Sequence, residues 1–190
     1  TLVTSAGGIT TASGTTITTS AGGGAATNAG TVIFRSNDTA VGLSGSITAT
    51  GAGTGTGTVT LGDGATTATG VGAVTQPAGT ISATTLNVRS TSGGVSLDRT
   101  TNALTSLGSI VTTGGDFTYV DSDGLTMGTG GSIDTTKAAS AGGAVSITAG
   151  GALALRDITT SGTGANNAGG AVTLVTSAGG ITTASGTTIT

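Results

Sequence analysis

The stretch GGAVSITAGGALAL, residues 142–155, carries the pattern on which the fold turns. Val145-Ser146-Ile147 alternates apolar, polar and apolar side chains, and Leu153-Ala154-Leu155 repeats the pattern eight residues later. Alternation with period two is the signature of a strand with one buried face. Gly143 stands two residues ahead of the first triplet, and Gly150-Gly151 separates the two strands. The motif is therefore glycine, strand, glycine pair, strand.

The same motif recurs along the chain. Apolar triplets begin at Val32, Val59, Leu86, Phe117, Val145 and Val172, at intervals of 27, 27, 31, 28 and 27 residues. Gly30, Gly57, Gly115, Gly143 and Gly170 precede five of the six, and Thr84 precedes the other. A glycine fixed in phase with the strands predicts a turn that needs positive φ. A second apolar position follows each triplet at Val41, Ala68, Val95, Leu125, Leu153 and Ile181. A third lies at Ile47, Ile81, Ile110, Ile133, Ile158 and Ile189.

Each unit thus reads as three short strands joined by glycine-rich turns. A segment this short cannot bury its own apolar face, but it can do so by stacking on its neighbours. The expectation is an all-β parallel β-helix, a solenoid of about 27–32 residues per coil. Val32, Val59, Leu86, Phe117, Val145 and Val172 would form a single core column. Gly30, Gly57, Gly115, Gly143 and Gly170 would be its turn glycines.

A longer repeat encloses the short one. TLVTSAGGITTASGTTIT occupies residues 1–18 and again residues 173–190, an offset of 172. A closing interval of 32 from Val172 to the next equivalent of Val32 makes six coils per 172-residue unit. Residues 1–172 then read as one unit of a continuous β-helix, and 173–190 as the start of the next. With strands about 4.8 Å apart, six coils advance a rod by roughly 29 Å. The expected partners are neighbouring repeats of the same chain stacked end to end, with lateral fibre contacts between rods.

Composition narrows the function. The chain has 38 Gly, one Pro, no Cys and no His; its eight acidic residues are all Asp, and charged residues make up 7%. Thr, Val and Ile favour strands and Gly favours turns, so helix is not expected. The net charge of −3 includes no basic stripe, which argues against nucleic acid. Apolar runs extend only a few residues, so no membrane insertion is expected from this segment. Without His or Cys the usual nucleophile–base partnerships are missing, and no enzyme activity or cofactor is expected.

TLNVRSTSGGVSLDRTTNALTSLGSI and the following GDFTYVDSDGLTMGTGGSI resemble the repeats of filamentous haemagglutinin-like adhesins of the two-partner-secretion type. The likeness extends through GGAVSITAGGALAL and GGAVTLVTSAGGIT. The resemblance implies a right-handed β-helix on the surface of a Gram-negative bacterium. It also implies a structural stalk in a giant secreted or surface-anchored filament. The alternative is a repeat surface that itself binds a partner, as a biofilm-matrix fibre or as an ice-binding face of Thr ranks.

Four local signals are candidates for sites. Asp121 and Asp123, in DSDG, resemble the opening of a calcium loop, but the closing Glu of such a loop has no counterpart here. A β-turn is the simpler reading. GAGTGTG at 51–57 matches a loose phosphate-loop fingerprint without the Lys-Ser/Thr that completes it. GTTIT at 14–18 and 186–190 and SITAT at 46–50 place polar residues at alternate positions, suited to the outer side of a strand. Phe34, Phe117 and Tyr119 fall on triplet positions and are expected in the core.

Overall fold

The computed structural model describes residues 1–190 except 22, 24, 25, 63–69, 165 and 166. Among the described residues there is no helix, and the strands form an eleven-stranded and a seven-stranded sheet with a further two-stranded pair. All pairings between these strands are parallel. Parallel neighbours cannot be joined by a tight hairpin. The chain instead leaves each sheet and returns to it, alternating between the two large sheets. The architecture is that of long parallel sheets compatible with a solenoid.

The seven-stranded sheet fixes the count of returns. Its strands are Ile9–Thr11, Val41–Leu43, Val74–Thr75, Val95–Leu97, Phe117–Asp121, Val145–Ala149 and Val172–Thr176, paired in chain order. Ile9, Val41, Val74, Val95, Phe117, Val145 and Val172 form one file of Cα partners. The stretch between successive visits is a lap.

The eleven-stranded sheet holds the other files. Val32, Val59, Leu86, Leu107 and Met127 are successive partners. So are Leu2, Phe34, Leu61, Val88, Ile110, Ile133 and Ile158, and Ile189 closes the file by a bridge to Ile158. Ile17, Ile47 and Ile81 form a shorter file. Inward residues of these strands make one continuous core, with Phe34, Phe117 and Tyr119 fully buried as expected.

The single column expected from sequence is corrected. Val32, Val59 and Leu86 stack together, whereas Phe117, Val145 and Val172 belong to the other sheet. The upper neighbour of Leu86 is Leu107, and the lower neighbour of Phe117 is Val95. The 31 residues from Leu86 to Phe117 are not one long coil. They hold a short lap, closed by the Leu86–Leu107 pair, and one strand more. The other two sequence sets change file at the same place: Val41 and Val95 are in the seven-stranded sheet, Leu125, Leu153 and Ile181 in the eleven-stranded one. Ile47 and Ile81 likewise stand in a different file from Ile110, Ile133, Ile158 and Ile189. Ala68 lies outside the described residues, and Val74 takes the place expected of it beside Val41.

Coil length varies accordingly. Val41 meets Val74 and Ile47 meets Ile81 across long excursions, while Val74 meets Val95 across a short one. Six laps end at Val172, before Ile181, the counterpart of Ile9. Six laps therefore do not fill the 172-residue offset, and the first two strands of the identical ends are exchanged between sheets. Leu2–Val3 is in the eleven-stranded sheet and its copy Leu174-Val175 in the seven-stranded one. Ile9–Thr11 and its copy Ile181–Thr183 are exchanged the other way.

The turn glycines are required for a reason other than positive φ. None of Gly30, Gly57, Gly115, Gly143 and Gly170 has it. A Cβ on Gly115 would run into the carbonyl of Gly93, one on Gly143 into that of Gly115, and one on Gly170 into that of Gly143. Successive laps pass so closely at this corner that only hydrogen fits between backbones. Gly57 and Gly30 precede strands of the eleven-stranded sheet instead: a Cβ on Gly57 would strike the Ala49 carbonyl of its own lap, and Gly30 has ordinary contact to Thr19 at 3.5 Å.

Beside that corner runs a file of buried hydroxyls. Ser36, Ser90, Thr112, Thr135 and Thr160 are almost wholly buried. Ser90 Oγ donates to the Gly93 carbonyl at 2.8 Å, Thr135 Oγ1 to Gly143 at 2.6 Å and Thr160 Oγ1 to Gly170 at 2.8 Å. Thr112 Oγ1 donates to Gly115 and Ser36 Oγ to Thr39 at 2.5 Å. A buried carbonyl at a bend needs a donor, and the hydroxyl supplies it from the end of the preceding strand.

Candidate functional site

Four of the carboxylates, Asp116, Asp121, Asp134 and Asp157, accept hydrogen bonds from the protein's own backbone amides. Asp121, at the end of strand Phe117–Asp121, is 3% exposed. Its Oδ2 accepts from the Leu104 amide at 2.8 Å and from the Tyr119 hydroxyl at 2.6 Å, and its Oδ1 accepts from the Asp123 amide at 2.9 Å. Burial, and next the Asp121 carboxylate, push the Tyr119 phenol far above its ordinary value. Asp123 is exposed, with Ser122 Oγ 3.4 Å from its Oδ2. The two carboxylates of DSDG therefore face opposite ways, one inward and one to solvent. The turn reading of this motif accounts for the geometry. Among the described residues no group of three or more His, Cys, Asp or Glu side chains gathers at one point.

Three other aspartates do the same. Asp116 Oδ1 accepts from Ala144 N, Asp134 Oδ1 from Thr136 N and Asp157 Oδ1 from Thr188 N, each at 2.8 Å. Asp38 Oδ1 accepts from the Thr91 hydroxyl. Asp98 is exposed, and Asp63 lies outside the described residues. Asp116 and Asp157 thereby tie turns to neighbouring laps, and Asp134 closes a local turn.

GAGTGTG at 51–57 also has a structural use. Ala52 N donates to the Thr27 carbonyl at 2.9 Å, and Gly55 N to that of Ala52. A Cβ on Gly55 would strike Thr27 and one on Gly51 would strike Gly55. The loop folds back on itself and forms one wall of an open groove of about 500 Å³. Ser82, Thr84, Thr105 and Asp123 supply polar groups to its other side.

The most regular outward feature is hydroxylic. Thr10, Gly42, Thr75, Ser96, Thr118, Ser146 and Thr173 are successive Cα partners across the whole seven-stranded sheet. Thr31, Thr58, Thr85, Ser106 and Thr126 form a second file on the eleven-stranded sheet, with Thr85 and Ser106 hydroxyls 3.1 Å apart. The threonines singled out in GTTIT and SITAT form a shorter set: Thr16 pairs with Ser46 and Thr18 with Thr48, then Ser82. Sequence reading missed the two longer files because its phase slipped at Leu107. It also missed a buried amide pair: Gln76 Nε2 donates to Asn102 Oδ1 at 2.7 Å and Asn102 Nδ2 to Gln76 Oε1 at 2.9 Å. A lone Gln between Val74 and Pro77 in a charge-poor chain was the available signal.

No family model, no curated protein and no solved structure matches this chain. Among the described residues no helix is long and apolar enough to cross a membrane.

Proposed function

We propose that this chain is a stretch of stalk, a right-handed parallel β-helix in a giant secreted or surface-anchored bacterial filament of the filamentous haemagglutinin-like kind. Its task is reach and stiffness at the cell surface rather than catalysis. The observation that carries the reading is the continuity of the core: apolar files run through every lap, while four of the carboxylates, Asp116, Asp121, Asp134 and Asp157, bind backbone amides at turns. Residues 1–172 act as one unit and 173–190 as the start of the next. Pulling along such a rod must break many ladder hydrogen bonds together, and each lap is supported only by its neighbours. Single-molecule extension of the purified protein tests the reading. A stalk unfolds at high force in steps of one or a few laps. Smooth extension at low force, or turnover of a polysaccharide, contradicts it.

The outward hydroxyl file from Thr10 to Thr173 favours a second reading, in which the repeated face touches a partner. Lateral bundling of purified rods would mark a matrix fibre, and thermal hysteresis an ice-binding face. Gly42 interrupts the file, which makes this the lesser reading.

A further inference from the structure

The corner after strand Ser46–Ala49 is built unlike the same corner in the next two laps. Ala49 pairs with Ala83 and Thr58 with Thr85, so residues 50–57 bulge out where Thr84 alone bridges the gap one lap on. Ala83 pairs in turn with Leu104 and Thr85 with Ser106, so Thr105 alone bridges it a second time. Two flush laps therefore lie beside a protruding loop. In the lap after them, turn 121–124 is held against Leu104 by the Asp121 carboxylate on the Leu104 amide. Loop, floor and turn bound the open groove of about 500 Å³. It crosses four laps, three strand spacings of about 4.8 Å, or roughly 14 Å along the stack.

Both banks are fixed by the protein itself. Ala52 N donates to the Thr27 carbonyl at 2.9 Å and Gly57 N to Thr84 Oγ1 at 3.0 Å, which ties the loop to the laps on either side. Asp121 braces the turn from within, and Gly151 N donates to the Asp123 carbonyl at 3.0 Å. The two carboxylates of DSDG thus divide the work: Asp121 holds the turn, and Asp123 is carried on it to the rim of the groove. Among the described residues no backbone amide donates to the Asp123 carboxylate, and the hydroxyls of Thr54, Ser82 and Thr105 make no hydrogen bond to another side chain or backbone group.

The lining selects the ligand. No Lys or Arg faces the groove, so a phosphate or an acidic sugar finds no counter-charge. No aromatic side chain lines it, and Leu104 is buried, so an apolar peptide side chain finds no anchor. The floor strands Ile81–Ser90 and Ala103–Thr112 are paired on both sides, which leaves no free edge for an added strand. What the groove offers is hydroxyls, peptide groups of a glycine-rich loop and one carboxylate. Hydroxyls both donate and accept, and a carboxylate accepts from several donors, which matches the closely spaced hydroxyls of a sugar. From these observations we infer that the groove binds a short uncharged oligosaccharide, with the Asp123 carboxylate as its principal acceptor. Such a lateral site is compatible with a stalk and does not depend on one.

Chemical-shift titration of the isotope-labelled full chain with cellotriose, maltotriose, chitotriose and trigalacturonate tests it. At least one of the three neutral sugars should shift the amides of residues 50–55, 82–84, 105, 123 and 124 saturably, and acidic trigalacturonate should not. Asp123→Asn alters an exposed side chain, so it should stay folded and bind that sugar about tenfold more weakly. Asp98→Asn, exposed away from the groove, should bind like the parent. The inference is overturned if no neutral trisaccharide gives a saturable shift up to tens of millimolar. It is equally overturned if trigalacturonate binds as tightly, or if Asp123→Asn leaves the affinity unchanged.

Discussion

Residues 1–18 and 173–190 share every letter, yet their first two strands are exchanged between the two large sheets, and their third stays in the eleven-stranded sheet in a different file. Ile9 lies over Val41 in the seven-stranded sheet, while Ile181 lies over Leu153 in the eleven-stranded one. The difference teaches that local sequence encodes strand and turn but not position around the fold. Any strand with an apolar inward residue every second place fits any file. What decides the file is the number of strands between the two copies, and that number is set in the middle of the chain. There the short lap from Leu86 to Leu107 inserts one strand more than regular coils would hold.

The sharpest way to break the comparison is to remove that lap's anchor. Leu107 is fully buried between Leu86 and Met127. Leu107→Asp buries an unpaired carboxylate, and we expect a loss of more than about 4 kcal/mol in denaturant unfolding. Leu107→Ala should cost about 2–5 kcal/mol. A negligible effect of either would mean that Leu107 is not in the core and that the two ends share a file.

Next in size is Asp121, which locks the added strand to the lap before it through the Leu104 amide. Asp121→Ala strands three donors, and we expect a loss of about 3 kcal/mol, against less than about 0.5 kcal/mol for exposed Asp123→Ala. The same cluster gives a pH signature. Tyr119 is the only tyrosine, and its folded value is raised above the ordinary 10.0 of the unfolded chain. Its contribution is therefore complete below pH 10 and is lost as pH climbs above it, by about 1.4 kcal/mol per pH unit. Ultraviolet titration should show phenolate appearing only together with unfolding. A reversible phenolate signal in the folded protein near pH 10 would place Tyr119 at the surface.

The smallest effect compares the copies directly. Ile9 is half-buried and Ile181 is 45% exposed. Ile9→Ala should cost about 1–2 kcal/mol and Ile181→Ala less than about 1 kcal/mol in denaturant unfolding. Equal losses from the same change in the same text would mean that the ends are equivalent after all.

Much of the fold is legible in the sequence. Period-two triplets such as Val145-Ser146-Ile147 and Val59-Thr60-Leu61 are strands with inward ends and outward middles. Glycine in phase with them marks the corner, although the cause is backbone contact, as at Gly143 against Gly115, rather than φ. Lap length was not legible. Leu104 and Leu107, three residues apart, match neither strand alternation nor a turn, because strand Ala103–Thr112 continues from one file into the next without a break. The buried hydroxyls Thr112, Thr135 and Thr160 were equally hidden. In a chain so rich in threonine, nothing local separates a corner hydroxyl from an outward one. Of the site signals, Asp121 could be located but its inward direction could not, since that depends on Leu104 and Tyr119 being its neighbours.

One measurement bears most directly on the winding of the chain. Ser96 and Thr118 are outward Cα partners, whereas a regular six-coil winding with Phe117 over Leu86 would pair Asn87 with Thr118. Neighbouring parallel strands lie at disulfide distance, so oxidation of the two double-cysteine proteins reads the register. The account predicts a rapid intramolecular disulfide in Ser96→Cys/Thr118→Cys and none in Asn87→Cys/Thr118→Cys. The reverse result would contradict it.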